Sequence, residues 1–159
     1  MLVNTPKIKL TESEETAVFY VYLGGGLYQP ALALLPNKDK ELVNYMKDPT
    51  SIPAPFRSLK SDSPEILFEQ AYEEKEYAEA SKLMGKVSTD ITGRQVQFAH
   101  VSVMTDDLDI AIQLYENNKN EITKNDLKTW VQEYVKNTDK ILDKKSKVDE
   151  YNTIIDRAT

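Results

Sequence analysis

The segment AVFYVYLGGGLYQPALALL, Ala17–Leu35, decides how the fold of this chain is interpreted. Its first part is mostly aromatic or β-branched and stops at three glycines, a composition that favours a buried strand. The apolar residues after the glycines predict a second strand that pairs back, with Pro30 confining it to a sheet edge. A helix is the alternative, because Thr11 and Glu14 form a capping-box pattern and Gly24 suits a helix C-terminus.

A third strand is predicted over residues 94–103, where β-branched residues follow Gly93. The same region also keeps the three-four spacing of a helix, so one continuous helix from Arg94 to Asn118 is the alternative. We therefore predict an α+β, helix-rich fold, in which 17–35 and 94–103 form a small antiparallel sheet.

About four helices accompany this sheet. Ser63 and Pro64 form a helix start, and Gly85 is placed to end that helix after Met84. Thr105, followed by two aspartates, begins another helix in the same way. The predicted helices cover residues 38–48, 63–84, 105–118 and 123–157.

The last helix carries an apolar residue at every seventh position: Leu127, Tyr134, Ile141, Val148 and Ile155. A helix over 123–157 would be roughly 50 Å long, which reaches the edge of a globule of this size. A second apolar seam is missing, so a coiled coil is not favoured. We predict one globular domain over 1–137 and a helical C-terminal extension over 138–159. A break near Asn137, with the end folded back, is the alternative.

Residues 49–64 contain four prolines and are predicted to form an extended arm without regular structure. Ile52, Phe56 and Leu59 are spaced between these prolines. The arm either packs on its own domain or lays these apolar side chains on a neighbouring subunit.

The sequence predicts no catalytic, cofactor-binding or metal-ligating residues, and we expect a protein that is not an enzyme. Cysteine is absent and His100 is the only histidine, so the common nucleophilic and zinc sites lack parts. Glu65, Glu69, Glu73 and Glu76 share a helix face, which we interpret as a solvated surface. The glycines at 24–26 lack the lysine and hydroxyl of a phosphate loop.

Net negative charge is concentrated in residues 61–118, which hold 4 basic and 12 acidic side chains. This surface disfavours direct contact with nucleic acid. The apolar runs are too short to span a membrane, and the N-terminus lacks the apolar core of a signal peptide. We therefore expect a protein inside the cell or in a virion.

The leading hypothesis is a non-enzymatic assembly subunit of a larger particle, such as a virion component, that contacts copies of itself or other proteins. The residues expected to make these contacts are Ile52, Phe56, Leu59, Ile141, Val148, Tyr151 and Ile155. The alternative hypothesis is a small acidic inhibitor that docks on a host protein through residues 61–118, as a mimic of nucleic acid.

Overall fold

The structure is a computed structural model that describes residues 9–159, and these residues form nine α-helices. The predicted sheet is wrong, since no strand occurs between residues 9 and 159, and the fold is all-helical. Residues 1–8 of the predicted domain 1–137 lie outside the described part of the chain. The helices are α1 (Glu12–Gly24), α2 (Tyr28–Leu34), α3 (Asp39–Lys47), α4 (Pro64–Glu73), α5 (Tyr77–Leu83), α6 (Arg94–Met104), α7 (Leu108–Asn117), α8 (Lys124–Lys136) and α9 (Lys144–Asp156).

The segment predicted to be the first strand is helix α1. Thr11 begins it with a complete capping box: its hydroxyl accepts from the Glu14 N–H, and the Glu14 carboxylate accepts from the Thr11 N–H. Phe19 and Leu23, four residues apart, are buried together on the inner side. The aromatic and β-branched residues that indicated a strand instead supply both faces of a helix that is apolar all round.

Residues 94–103, predicted to be a strand, form helix α6. Phe98 and Val101 have the three-residue spacing of one helix side, and both are buried. The chain forms two helices here instead of one continuous helix to Asn118, but the predicted start at Thr105 is wrong, since Thr105 ends α6 and α7 begins after Asp107. The helix predicted over 38–48 is confirmed by α3, and Thr123 begins α8 with a capping box as expected.

Three helix pairs are joined by the same three-residue turn, and one of these turns interrupts the single helix that was predicted over 63–84. The middle residue of each turn has a positive φ, and the next N–H donates to the carbonyl five residues back, as in a Schellman motif. The middle residues are Gly26, Lys75 and Asp106, with φ of 73°, 59° and 62°. The closing bonds are Leu27 to Tyr22 at 2.8 Å, Glu76 to Ala71 at 2.8 Å, and Asp107 to Ser102 at 2.7 Å.

A buried alanine follows each turn at the same distance. Ala31, Ala80 and Ala111 each lie five residues after the positive-φ residue, and all three are fully buried. A small side chain at this position lets the second helix of a pair lie close to the first. The three pairs therefore share one turn geometry and one packing position, as the stacked helix pairs of repeat proteins do.

The hydrophobic core is divided into three clusters that follow one another along the chain. The first joins α1, α2, α3 and the arm at 49–64 to the start of α4. The second lies among α4, α5 and α6, and the third extends from α6 to α9. Each helix packs mainly on helices that are near it in sequence. The molecule is thus a short linear array, with α1 at one end and α9 at the other.

The proline-rich arm packs on its own domain. Phe56 and Leu59 are buried in the first core cluster. The Gln70 side chain on α4 donates to both of their carbonyl groups, at 3.0 and 2.8 Å. The Glu73 carboxylate accepts the N–H groups of Phe56 and Arg57. Of the two alternatives for this arm, the structure therefore shows the intrachain one.

The predicted long C-terminal helix is broken at residues 137–143, and α9 folds back antiparallel to α8. Tyr134 of α8 stacks on Tyr151 of α9, with ring centroids 6.4 Å apart. Lys128 near the start of α8 pairs with Asp156 at the end of α9, at 2.6 Å. The alternative of a folded-back C-terminus is thus the one observed, and the extension predicted over 138–159 packs on α8 through α9.

We expect the substitution Lys75→Gly to stabilise the protein relative to Lys75→Ala by roughly 0.5–1 kcal/mol. Lys75 is exposed, so both variants remove the same surface side chain, and only glycine relieves the strain of the positive φ. Urea denaturation of the two variants measures the difference. Equal free energies of unfolding would contradict the role assigned to this turn.

Candidate functional site: an uncharged end face and two buried polar clusters

The longest stretch of the chain without a charged residue runs from Thr16 to Asn37, although 29% of all residues are charged. This stretch makes up most of α1 and all of α2. A surface helix normally has charged residues on its solvent side, so their absence beyond the acidic first turn of α1 sets this helix pair apart. Depletion of charge is typical of the core of protein–protein interfaces.

The outer side of α1 exposes apolar and small residues. Tyr20 is 48% exposed and Val21 is 72% exposed. Ala17 and Gly24 are exposed on the same side, because positions 17, 20, 21 and 24 follow the three-four spacing of a helix. We call Ala17, Tyr20, Val21 and Gly24 the α1 face.

Two further exposed apolar side chains lie beside the C-terminal end of α1. Leu27 and Ile52 are each 50% exposed. Ile52 is held at the turn by the Tyr28 hydroxyl, which donates to its carbonyl at 2.5 Å. A Cβ on Gly26 would lie only 3.0 Å from the Ile52 side chain, so glycine meets both the positive φ and this close contact. The turn therefore extends the apolar surface beyond α1.

The opposite end of the array is different in character. The outer side of α9 exposes charged and polar side chains, among them Lys145, Asp149 and Glu150. Terminal units of repeat proteins need such a polar outer face to stay soluble. Within residues 9–159, the array therefore has one end with a charged surface and one end that is uncharged beyond the first turn of α1.

The residues predicted from the sequence to make contacts lie mostly inside the fold. Phe56, Leu59, Tyr151 and Ile155 are buried in the protein's own core, and Ile141 and Val148 are half-buried against it. Ile52 is exposed next to the α1 face. Tyr20, Val21 and Gly24 are not among the residues predicted from the sequence to make contacts, and the charge-free run from Thr16 to Asn37 is the signal that could have indicated them.

A cleft of about 530 Å³ lies between the arm and the α4–α5 pair. Leu59, Leu67 and Leu83 contribute its apolar wall. Both basic and acidic side chains line its rim, including Arg57 and Glu76. This mixed rim has no net preference for an anion or a cation.

A buried ion network connects α3, α4 and α6. The Arg94 side chain is fully buried, and its guanidinium contacts Glu65 at 2.8 Å and Glu69 at 3.1 Å. Gln97 donates to Glu69 at 2.9 Å and accepts from Lys47 at 2.6 Å. The two cations and two carboxylates balance in charge, as buried ions must. Glu65 and Glu69 are therefore not part of a solvated face, which corrects that interpretation of the sequence.

The network also fixes the loop that precedes α6. Arg94 donates to the Ser88 carbonyl at 2.8 Å, and the Ser88 N–H donates to Glu65 at 2.6 Å. The Arg94 guanidinium lies over the Phe68 ring, with its carbon 4.9 Å from the ring centre. These contacts are all internal, so the network joins the first and second core clusters and has a structural role.

We expect Arg94→Met to lower the free energy of unfolding by about 3–5 kcal/mol, because Lys47 then becomes the one cation in this network for the two buried carboxylates of Glu65 and Glu69. The exposed pair of Lys82 with Glu79 provides the control, and Lys82→Met should change stability by less than about 1 kcal/mol. Adding Glu65→Gln to Arg94→Met should recover most of the loss, because Glu69 and Lys47 then balance in charge. Chemical denaturation measures all three, and equal effects of the two methionine variants would contradict this role.

A second, half-buried polar cluster surrounds His100 on α6. The Tyr72 hydroxyl lies 2.7 Å from His100 Nδ1, and Glu133 of α8 lies 3.4 Å from Nε2. Trp130 stacks on the imidazole with ring centres 4.8 Å apart, and Tyr77 donates to Glu133 at 3.3 Å. The cluster therefore joins α4, α5, α6 and α8 through aromatic and polar contacts.

Burial controls the protonation of this cluster. Desolvation lowers the pKa of His100, and the nearby Glu133 carboxylate offsets only part of that effect. Desolvation also raises the pKa of Tyr72 to about 12 and that of Tyr77 to about 12. At neutral pH the imidazole is therefore uncharged and both phenols keep their protons. The cluster can exchange hydrogen bonds, but it does not hold a phenolate nucleophile.

The lowered pKa of His100 makes stability depend on pH below about 6.5, the pKa of an unperturbed histidine. In that range the unfolded chain binds a proton that the folded chain resists, so stability falls as the pH decreases. The charged and titratable groups near the imidazole are Tyr72, Tyr77, Glu133 and Lys75. We expect His100→Gln to weaken this pH dependence. Denaturation from pH 7.5 to 5, with NMR titration of the imidazole, measures it, and a midpoint above 6.5 would contradict the argument.

Among the described residues, no group of three or more acidic or histidine side chains is arranged to hold a metal ion. None of the described helices is both long and apolar enough to cross a membrane. Comparisons of the chain with protein-family models, with curated proteins and with solved structures found no match.

Proposed function

We propose that this chain is a non-enzymatic subunit of a larger protein assembly and that the α1 face is a contact surface in that assembly. The observation that carries the proposal is the charge-free segment Thr16–Asn37, which exposes Tyr20 and Val21 at the end of a helical array. Contiguous exposed apolar surface of this kind typically marks an interaction site.

The architecture supports the same function. An array of stacked helix pairs presents a long surface relative to its core, and such proteins commonly act by binding other proteins. Tyrosine is enriched in interfaces because its ring supplies contact area while its hydroxyl remains hydrated. Tyr20 has both properties, since its ring edge meets Phe19 and almost half of the residue remains exposed.

The alternative of an acidic inhibitor that mimics nucleic acid receives less support. Glu65 and Glu69 are buried and paired with Arg94, so their charges are neutralised inside the protein. Glu73 accepts backbone N–H groups of the arm. The acidic segment 61–118 thus uses several of its carboxylates to hold the fold together instead of presenting them as a regular charged surface.

The proposal can be tested by placing a photo-reactive amino acid at position 21 and irradiating the protein in the cells that produce it. Leu142 provides the matched control, because it is an isolated apolar residue that is 97% exposed in the loop between α8 and α9. We expect covalent adducts with protein at position 21 and none at position 142. A result without adducts at position 21, or with equal labelling at both positions, would overturn the proposed function.

A further inference from the structure

We infer that the α1 face binds the α1 face of a second copy of this chain, with the two helices antiparallel around a two-fold axis. This inference rests on the proposed function and names the partner of the same surface. It follows from the asymmetry of the array, from the spacing of the exposed residues and from the charges that flank them.

The asymmetry of the array favours a closed dimer over a filament. A head-to-tail contact would have to join α1 of one copy to a different surface on the next copy. The other end of the described array, at α9, exposes Ile154 together with Lys145, Asp149 and Glu150, and these three charges do not match an uncharged surface. An isologous contact needs only one self-complementary patch, and the α1 face is such a patch.

The spacing of the exposed residues is self-complementary in the antiparallel orientation. When the two-fold axis passes between positions 20 and 21, Ala17 lies opposite Gly24 of the partner subunit, and Tyr20 lies opposite Val21 of the partner subunit. Small residues then face small residues at both ends of the contact, which lets the helix axes approach closely. The larger side chains meet in the middle.

The charges around the face also select the antiparallel orientation. Glu12, Glu14 and Glu15 lie in the first turn of α1, and no basic residue lies in its last turn. A parallel pair would bring the two acidic turns together, which is unfavourable. In the antiparallel pair, each acidic turn lies beside the uncharged glycine turn of the partner, and the two helix dipoles are opposed.

The size of the face limits the strength of the contact. The α1 face with Leu27 and Ile52 is small compared with the roughly 800 Å² per partner of a standard interface. We therefore expect a dissociation constant on the order of micromolar. The purified protein should change from monomer to dimer over a measurable range of concentration.

Light scattering coupled to size-exclusion chromatography tests the dimer. The mass should rise from that of one chain to that of two as the loading concentration increases. Val21→Lys should abolish this rise, because it places two like charges near the axis, whereas Leu142→Lys should leave it unchanged. If residues 1–8 of the same chain cover the face instead, the mass stays monomeric at every concentration and Val21→Lys lowers the melting temperature. That outcome overturns the inference.

Disulfide cross-linking tests the orientation, and the chain contains no cysteine that could interfere. Ala17→Cys and Gly24→Cys proteins should form a covalent heterodimer when they are mixed and oxidised. Each alone should cross-link poorly, since two copies of position 17 would be roughly 10 Å apart along the axis, beyond disulfide reach. A cysteine fits at position 24, where a Cβ would meet only the Tyr45 hydroxyl at 3.8 Å.

The two proposals fail differently. Efficient cross-linking of position 17 to position 17 would overturn the antiparallel dimer. A purified protein that stays monomeric, together with photo-adducts between position 21 and another protein, would overturn the homodimer and leave the proposed function standing. A monomer without any adduct at position 21 would overturn both.

Discussion

The fold depends on a backbone constraint that occurs three times, the positive φ at the middle of the turns between paired helices. Gly26, Lys75 and Asp106 each end one helix with a Schellman motif and direct the chain into the next. Only the first is glycine, so the other two turns must be held by the packing of the helices they join. Ala31, Ala80 and Ala111 provide that packing, because each lets the second helix approach the first closely. The pairs are therefore defined by backbone geometry more than by any one side chain.

The turns fix the geometry within each helix pair, and the polar clusters fix the contacts between pairs. A linear array has little core in common between distant units, so its cooperativity depends on the contacts between neighbours. Arg94 on α6 reaches two carboxylates on α4, and His100 on α6 contacts Tyr72 on α4 and Glu133 on α8. Helix α6 thus connects the middle of the array to both sides. Hydrophobic burial alone would tolerate sliding between units, whereas these directional bonds fix one register.

The sequence predicted the presence of individual helices better than it predicted the fold class or the helix boundaries. The capping pattern at Thr123 predicted a helix correctly because it is local, whereas at Thr11 β-propensity was given priority over the same signal and a strand was wrongly predicted. That propensity describes residues suited to a half-buried surface, and an apolar helix offers one as well.

The turn at Lys75 had no local signal, since lysine is not a turn residue. The recurring turn has no regular period in the sequence, since 49 residues separate Gly26 from Lys75 and 31 separate Lys75 from Asp106. The pairing of Glu65 and Glu69 with Arg94 joins residues distant in sequence, which spacing on one helix cannot show.

The stability of the described fold does not explain why the segment Thr16–Asn37, at the α1 end of the array, lacks charged residues. Replacing Val21 with a charged residue would disturb no buried contact, because 72% of its surface is exposed to solvent. Outside Thr16–Asn37, the described helices carry charged residues at the surface, including the short ones, except α6, whose one charged residue, Arg94, is buried. A segment as long as Thr16–Asn37 without one such residue therefore indicates a constraint outside the fold. Since exposed apolar surface promotes association, this constraint is the basis of our proposal that α1 lies against protein in the functional state. The position of α1 at the end of a linear array makes this possible without rearranging any other helix.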